Sequence, residues 1–248
     1  VSTEYRSALA VEAVTLHPYK IADSASAAFV DKMFLSGLRR LDPKTLEPIP
    51  GMAKSWKVSD DKMTYTFILD EKLKWSDGKP ITAEDFAWTY AQVMKEENKY
   101  PYREDNLDII KSVKAVDEKT LEIVLTRKLL TKLGFSEIEM AIGGPLPKHI
   151  WEKYDWNDPQ KNPEILAPSV VSGQYKLTNR KVDAQTAFKR NDNYLYGAPL
   201  IEIQTFQIVP NQSVGLQLLM NGDVDTTSVS PNDFDKAKAS DKLNTFTW

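Results

Sequence analysis

Polar and apolar positions alternate over residues 64–70, TYTFILD, where Tyr65, Phe67 and Leu69 share one side. A period of two is that of a half-buried strand. Residues 112–126, SVKAVDEKTLEIVLT, predict two strands around a turn at Asp117-Glu118-Lys119, with Leu121, Ile123 and Leu125 on one face. Residues 173–191 predict a second hairpin and 200–210 a further strand. Strands in this number and antiparallel order predict a mixed α/β architecture.

Helices are fewer and are marked at their ends. Residues 24–38 predict a helix opened by Ser24 as cap and closed at Gly37, and residues 212–225 one closed by Asn221-Gly222. Ser230, Pro231 and Asp233 predict a third, as N-cap, first helical position and first-turn acid. The proline-rich stretch from Gly143 to Pro168 predicts a surface crossing between two structural units, interrupted by a short helix near Lys148 to Tyr154.

The segment KWSDGKPITAEDFAW, residues 74–88, carries Asp77, Glu84 and Asp85 in fifteen positions. Ser76-Asp77-Gly78 reads as a tight turn with Gly at positive φ. Thr82 to Asp85 reads as a capping box: Thr82 accepts from the backbone near Asp85 while the acid reaches back to the cap amide. On the helix that follows, Phe86, Tyr90 and Val93 form a core face. The rival reading makes Asp77 with Glu84 or Asp85 the acid and base of a carboxylate-dependent hydrolase. It needs an apolar pocket to raise one pKa, whereas turn tips and helix starts are usually wet.

At 248 residues, 42% hydrophobic and 27% charged, the chain is long enough for one large or two modest cores. A net charge of −3 with dispersed Lys and Arg argues against nucleic acid as a partner. The absence of cysteine removes thiol catalysis, zinc ribbons and disulfide scaffolds. No apolar run approaches the roughly 20 residues that span a bilayer, and no export signal opens the sequence. His17 and His149, the only histidines, have no metal-ligand spacing and are expected at the surface, so no metal, cofactor or catalytic triad is expected.

The order of motifs resembles the family 5 extracellular solute-binding proteins, the peptide, nickel and oligosaccharide receptors of ABC importers. The resemblance is carried by LSGLRRLDPKTLEPIPGMAKSWKVSDDKMTYTFILDEKLKWSDGKPITAEDFAWTY (35–90), preceded by VTLHPYKI (14–21), which resembles the family's first strand and the loop after it. LPKHIWEK (146–153), VVSGQYKL (170–177), FKRNDNYLYG (188–197) and LLMNGDVDTTSVSPNDFDK (218–236) follow in the family's order. Gln174 departs from the family's usual Pro, and Leu195-Tyr196 from the Trp after Tyr194.

The resemblance implies an α/β fold of the periplasmic binding protein-like II type (cluster C): a first lobe plus an inserted accessory α/β domain, with the second lobe missing. Residues 1–34 and 168–248 would form the incomplete first-lobe sheet domain, and 35–167 the accessory domain. It also implies an extracytoplasmic protein, periplasmic or lipid-anchored, that delivers a solute to a membrane ABC permease. The expected solute is an oligopeptide or dipeptide, with an oligosaccharide or nickel complex as alternatives. Ligand-binding positions carried over are Ala22, Asp23, Ser24, Tyr102, Ser172 and Gly173. The acid that anchors a peptide's amino end lies in the second lobe, so this chain, expected to be an N-terminal portion, should bind weakly on its own. Trp56 and Trp75 are expected in the core, and Trp88 against the other domain. Trp151 and Trp156 lie on the crossing, where an exposed one could serve as a sugar platform. A stand-alone interaction domain is the remaining alternative.

Overall fold

The computed structural model describes residues 3–129, 138 and 143–246. In chain order the elements are β1 (Glu4–Leu9), α1 (Ser24–Met33), β2 (Arg39–Leu41), β3 (Pro48–Pro50), β4 (Ala53–Val58), β5 (Thr64–Leu69), α2 (Ala83–Val93), α3 (Arg103–Ile109), β6 (Ile110–Ala115) and β7 (Thr120–Leu125). They continue with α4 (Lys148–Trp151), β8 (Tyr175–Lys181), β9 (Gln185–Arg190), β10 (Ile203–Ile208), α5 (Gln212–Asn221), β11 (Thr226–Thr227) and α6 (Pro231–Lys238).

Two principal sheets result, one in the order β11-β1-β10-β9-β8 and one in the order β4-β5-β7-β6; β2 and β3 form a small ribbon. In the first sheet β8, β9 and β10 pair antiparallel as expected, and β1, which runs parallel to both β10 and β11, makes the sheet mixed. The first strand is also EYRSAL rather than VTLHPYKI, whose residues 14–21 form an irregular connection. Leu16 there donates its amide to the Ile165 carbonyl, a partner outside any ladder.

In the second sheet the predicted alternation holds. Phe67 and Leu69 of β5 and Leu121, Ile123 and Leu125 of β7 are buried, and α2 covers them with Phe86, Tyr90 and Val93. Asp117 closes the β6–β7 turn by accepting from the amides of Lys119 and Thr120 at 2.9 and 2.8 Å. On one face of the first sheet, α1 sets Phe29 5.2 Å from the rings of both Phe188 and Phe206. On β1 and β11 α5 approaches closely, because Gly215 carries no Cβ; one placed there would stand 2.7 Å from Thr227 Oγ1.

Two helix ends differ from expectation. Asp23, not Ser24, caps α1: its carboxylate accepts from the Ser26 amide at 2.7 Å and the Ser26 hydroxyl at 2.6 Å. The helix stops at Met33, short of Gly37, because the Met33 carbonyl is taken by the amides of Ser172 and Gly173 at 3.1 and 2.7 Å. Gly222 ends α5 at φ 81°, as its sequence position predicted. Ser230 sits at the N-cap of α6, but its hydroxyl bonds the Asp233 carboxylate rather than a backbone amide.

The turn at Ser76 ties the two sheets together. Its amide donates to the Val171 carbonyl at 2.8 Å, its hydroxyl accepts from the Val171 amide at 3.1 Å, and Asn193 Nδ2 reaches the Trp75 carbonyl at 3.2 Å. Among the described residues no helix is long and apolar enough to cross a membrane.

Candidate functional site

The acidic segment 74–88 acts as a scaffold. Thr82 and Asp85 form the predicted capping box, and Asp85 departs from the wet helix start expected of it. Its carboxylate is buried and accepts from the Thr82 amide at 2.9 Å, Trp75 Nε1 at 3.4 Å and the Lys148 amide at 3.1 Å. Glu84 pairs with Lys148 at 2.8 Å, and Asp77 with His149 Nε2 at 2.9 Å. Each of the three carboxylates thus has a structural partner.

His17 is fully buried, contrary to the surface position expected for it. Trp151 and Trp156, brought in by the crossing, meet it edge-on with ring centroids at 5.0 and 4.9 Å. His17 Nδ1 accepts from the Tyr19 amide at 3.2 Å, which places the neutral ring's proton on Nε2. Burial pushes its pKa down to about 3, with Lys20 adding to the shift. Trp88 joins the same group 6.2 Å from Trp156, and Trp75 is fully buried. Trp151 and Trp156 are buried too, so neither offers an open platform for a sugar. His149, held by Asp77, is partly exposed. Among the described residues no cluster of His, Asp or Glu could hold a metal ion.

Beside the aromatic group a cleft of about 190 Å³ opens. Pro18, Tyr19 and Ile21 form one side, Val30, Asp31 and Phe34 to Ser36 another, and Tyr100 with Gly143 to Leu146 the third. Tyr19 is its best-fixed wall: the hydroxyl donates to the Gly144 carbonyl and the ring stands edge-on to Tyr100 at 5.6 Å. Burial and the neighbouring Tyr100 raise the Tyr19 pKa, so its hydroxyl stays protonated. The glycine pair permits the approach. A Cβ on Gly143, at φ 60°, would lie 2.8 Å from Tyr19 Oη, and one on Gly144 would lie 2.1 Å from the Leu35 carbonyl oxygen.

The six ligand-binding positions expected from the sequence fall around this cleft in different ways. Ala22, Asp23 and Ser24 follow Ile21 of its wall; Ala22 and Ser24 are exposed, while the Asp23 carboxylate is occupied by α1 and held below the usual carboxylate range by Ser26. Tyr102 is 59% exposed and meets Tyr100 edge-on at 5.8 Å, one ring beyond the cleft wall. Ser172 and Gly173 are buried beneath α1: the Ser172 hydroxyl accepts from the Leu35 amide at 2.9 Å, and a Cβ on Gly173 would come 2.5 Å from the Lys32 carbonyl oxygen. They support Phe34 and Leu35 of the wall from behind. Tyr19, Asp31, Tyr100, Gly143 and Gly144 were not singled out from sequence. The Gly-Gly-Pro run read only as the start of a surface crossing, and nothing local marks which tyrosine will face a cavity.

Two principal sheets, tied at the Ser76 turn, and an aromatic cleft beside Tyr19 make up this arrangement. The chain belongs to the bacterial extracellular solute-binding proteins, family 5, whose middle-region model matches residues 47–247. It is 29% identical to the periplasmic oligopeptide-binding protein OppA of Salmonella typhimurium, an alignment covering 87% of this chain and 41% of that protein. It is 28% identical to the nickel-binding periplasmic protein of Escherichia coli, covering 71% of this chain and 32% of that protein. Among solved structures, a periplasmic oligopeptide-binding protein of Borrelia burgdorferi superposes with a TM-score of 0.78 at 29% identity, over 96% of this chain and 50% of the other. AppA of Bacillus subtilis, solved with a nonapeptide, shares the fold with a TM-score of 0.82 at 22% identity. The chain spans less than half the length of these curated relatives.

Proposed function

We propose that this chain forms one wall of a solute receptor outside the cytoplasm, periplasmic or lipid-anchored, that delivers an oligopeptide or dipeptide to a membrane ABC permease. The family match over residues 47–247 carries the reading, and the open cleft beside Tyr19 and Tyr100 supports it. Residues 1–34 and 168–248 form one unit and 35–167 a second; the strand membership of the two sheets supports this division. Ala22 and Ser24 on one lip and Tyr102 on the other contact the solute, while Ser172 and Gly173 hold the wall in place. The role is binding, without catalysis.

Differential scanning fluorimetry across dipeptides, oligopeptides, an oligosaccharide and a nickel complex tests this, using the full product of the reading frame that carries the chain. A ligand at about 100 times its Kd stabilises the native state by about 2.7 kcal/mol, so the cognate solute raises Tm by several degrees. The 248 residues alone shift little, because one wall leaves the solute half solvated. A full product unmoved by every member of the panel refutes the reading.

A further inference from the structure

We infer that the cleft beside Tyr19 is a side-chain subsite for one bulky apolar residue of the solute, of leucine or phenylalanine type, and that it disfavours acidic side chains. The inference rests on the solute-binding reading and adds to it the chemistry of what is bound.

Three observations carry it. The first is size: an apolar cavity of about 150 Å³ admits a benzene ring, and this one measures about 190 Å³. That is room for an isobutyl or benzyl group and more than a methyl group fills.

The second is the lining. Tyr19, Ile21, Val30, Phe34, Leu35 and Tyr100 present carbon to the space; the Tyr19 hydroxyl is spent on the Gly144 carbonyl, the Tyr100 hydroxyl is engaged by Asn106, and the Ser36 hydroxyl is left at the exposed edge. A charged group pushed past Ser36 would lose water that these carbon surfaces do not replace. Asp31 is the one ionisable carboxylate of the described lining and is exposed at the rim, so an acidic side chain also meets like charge there.

The third is rigidity. Tyr19 is held between Gly144 and Tyr100, and Phe34 and Leu35 are backed by the Ser172 hydroxyl and the Gly173 amide through Leu35 and Met33. A wall fixed from behind is already shaped for its occupant, so little ordering cost falls on binding.

The test is an NMR titration of the full product of the reading frame with N-acetyl amides of Phe, Leu, Ala and Glu, read at the amides of Ile21, Ser36, Gly143 and Gly144. Phe and Leu probes should perturb these signals with at least about tenfold tighter Kd than Ala, and Glu should be weaker than Ala. Asp31→Asn should recover part of the loss for Glu. Ile21→Trp, which fills the mouth from an irregular loop, should abolish the Phe response while Tm stays within a few degrees of the parent.

Equal Kd for Phe and Ala, perturbations confined to residues away from the cleft, or no response to any probe would overturn the inference. Peptide-induced Tm shifts of the full product, measured in parallel, separate the failures: shifts without side-chain preference remove the subsite alone, whereas no shift removes the solute-binding reading as well.

Discussion

His17 should make the stability of this protein depend on pH in a window where its carboxylates contribute little. Its ordinary pKa of 6.5 falls to about 3 in the folded chain, because a protonated imidazole between Trp151 and Trp156 would be a charge without water. The unfolded chain therefore binds the proton more readily than the folded one. Stability is complete above pH 6.5 and is lost as pH falls toward 3. With these two values the loss is about 2 kcal/mol at pH 5 and about 4 kcal/mol at pH 3. For a domain of this size about 2 kcal/mol corresponds to a Tm decrease of about 4–8 °C. Calorimetry between pH 7.5 and 5 on the parent and His17→Gln isolates the effect, because the two proteins differ at this one side chain. The variant should start from a lower Tm and fall less steeply. Parallel curves for the two proteins would refute the burial argument.

Other substitutions probe separate links. Thr82→Ala removes one half of the capping box and should cost about 1 kcal/mol in urea denaturation. Asp85→Ala strands Trp75 Nε1 and the amides of Thr82 and Lys148, and should cost about 2–4 kcal/mol, more than the cap alone. Gly173→Ala drives a methyl group against the backbone of Lys32 to Phe34, so Tm should drop by several degrees although a single carbon is added; an unchanged Tm would mean that α1 can move away. Tyr102→Ala, at an exposed ring, should leave Tm within about 1 °C and weaken solute binding to the full product by about tenfold, as measured by calorimetric titration.

Features that depend on a few neighbouring residues were legible from sequence. The alternation in 64–70 and 112–126, the turn at Asp117, the capping box at Thr82 and the glycine stop at Gly222 follow from side-chain period and backbone sterics, which act over a handful of residues. The order of such motifs also marked the family. Local signals misled where a stronger partner, near or distant, intervened. Ser24 looks like a cap, yet the carboxylate of Asp23 outcompetes its hydroxyl for the first-turn amides. The apolar pattern continues past Met33, but Ser172 and Gly173 claim the carbonyl that a longer helix would need.

Tertiary structure alone decided the rest. Tyr5, Ser7 and Leu9 become a strand because β10 and β11, at the opposite end of the chain, offer parallel partners. A histidine that reads as a surface residue is buried because two tryptophans from the crossing close over it. The cleft is likewise assembled from four separated segments, and the tyrosine that lines it is chosen by a glycine carbonyl far along the chain. Sequence period determines which face a residue takes within its own element. Which surfaces then meet depends on long-range packing and on the hydrogen bonds that remain unsatisfied until distant segments meet.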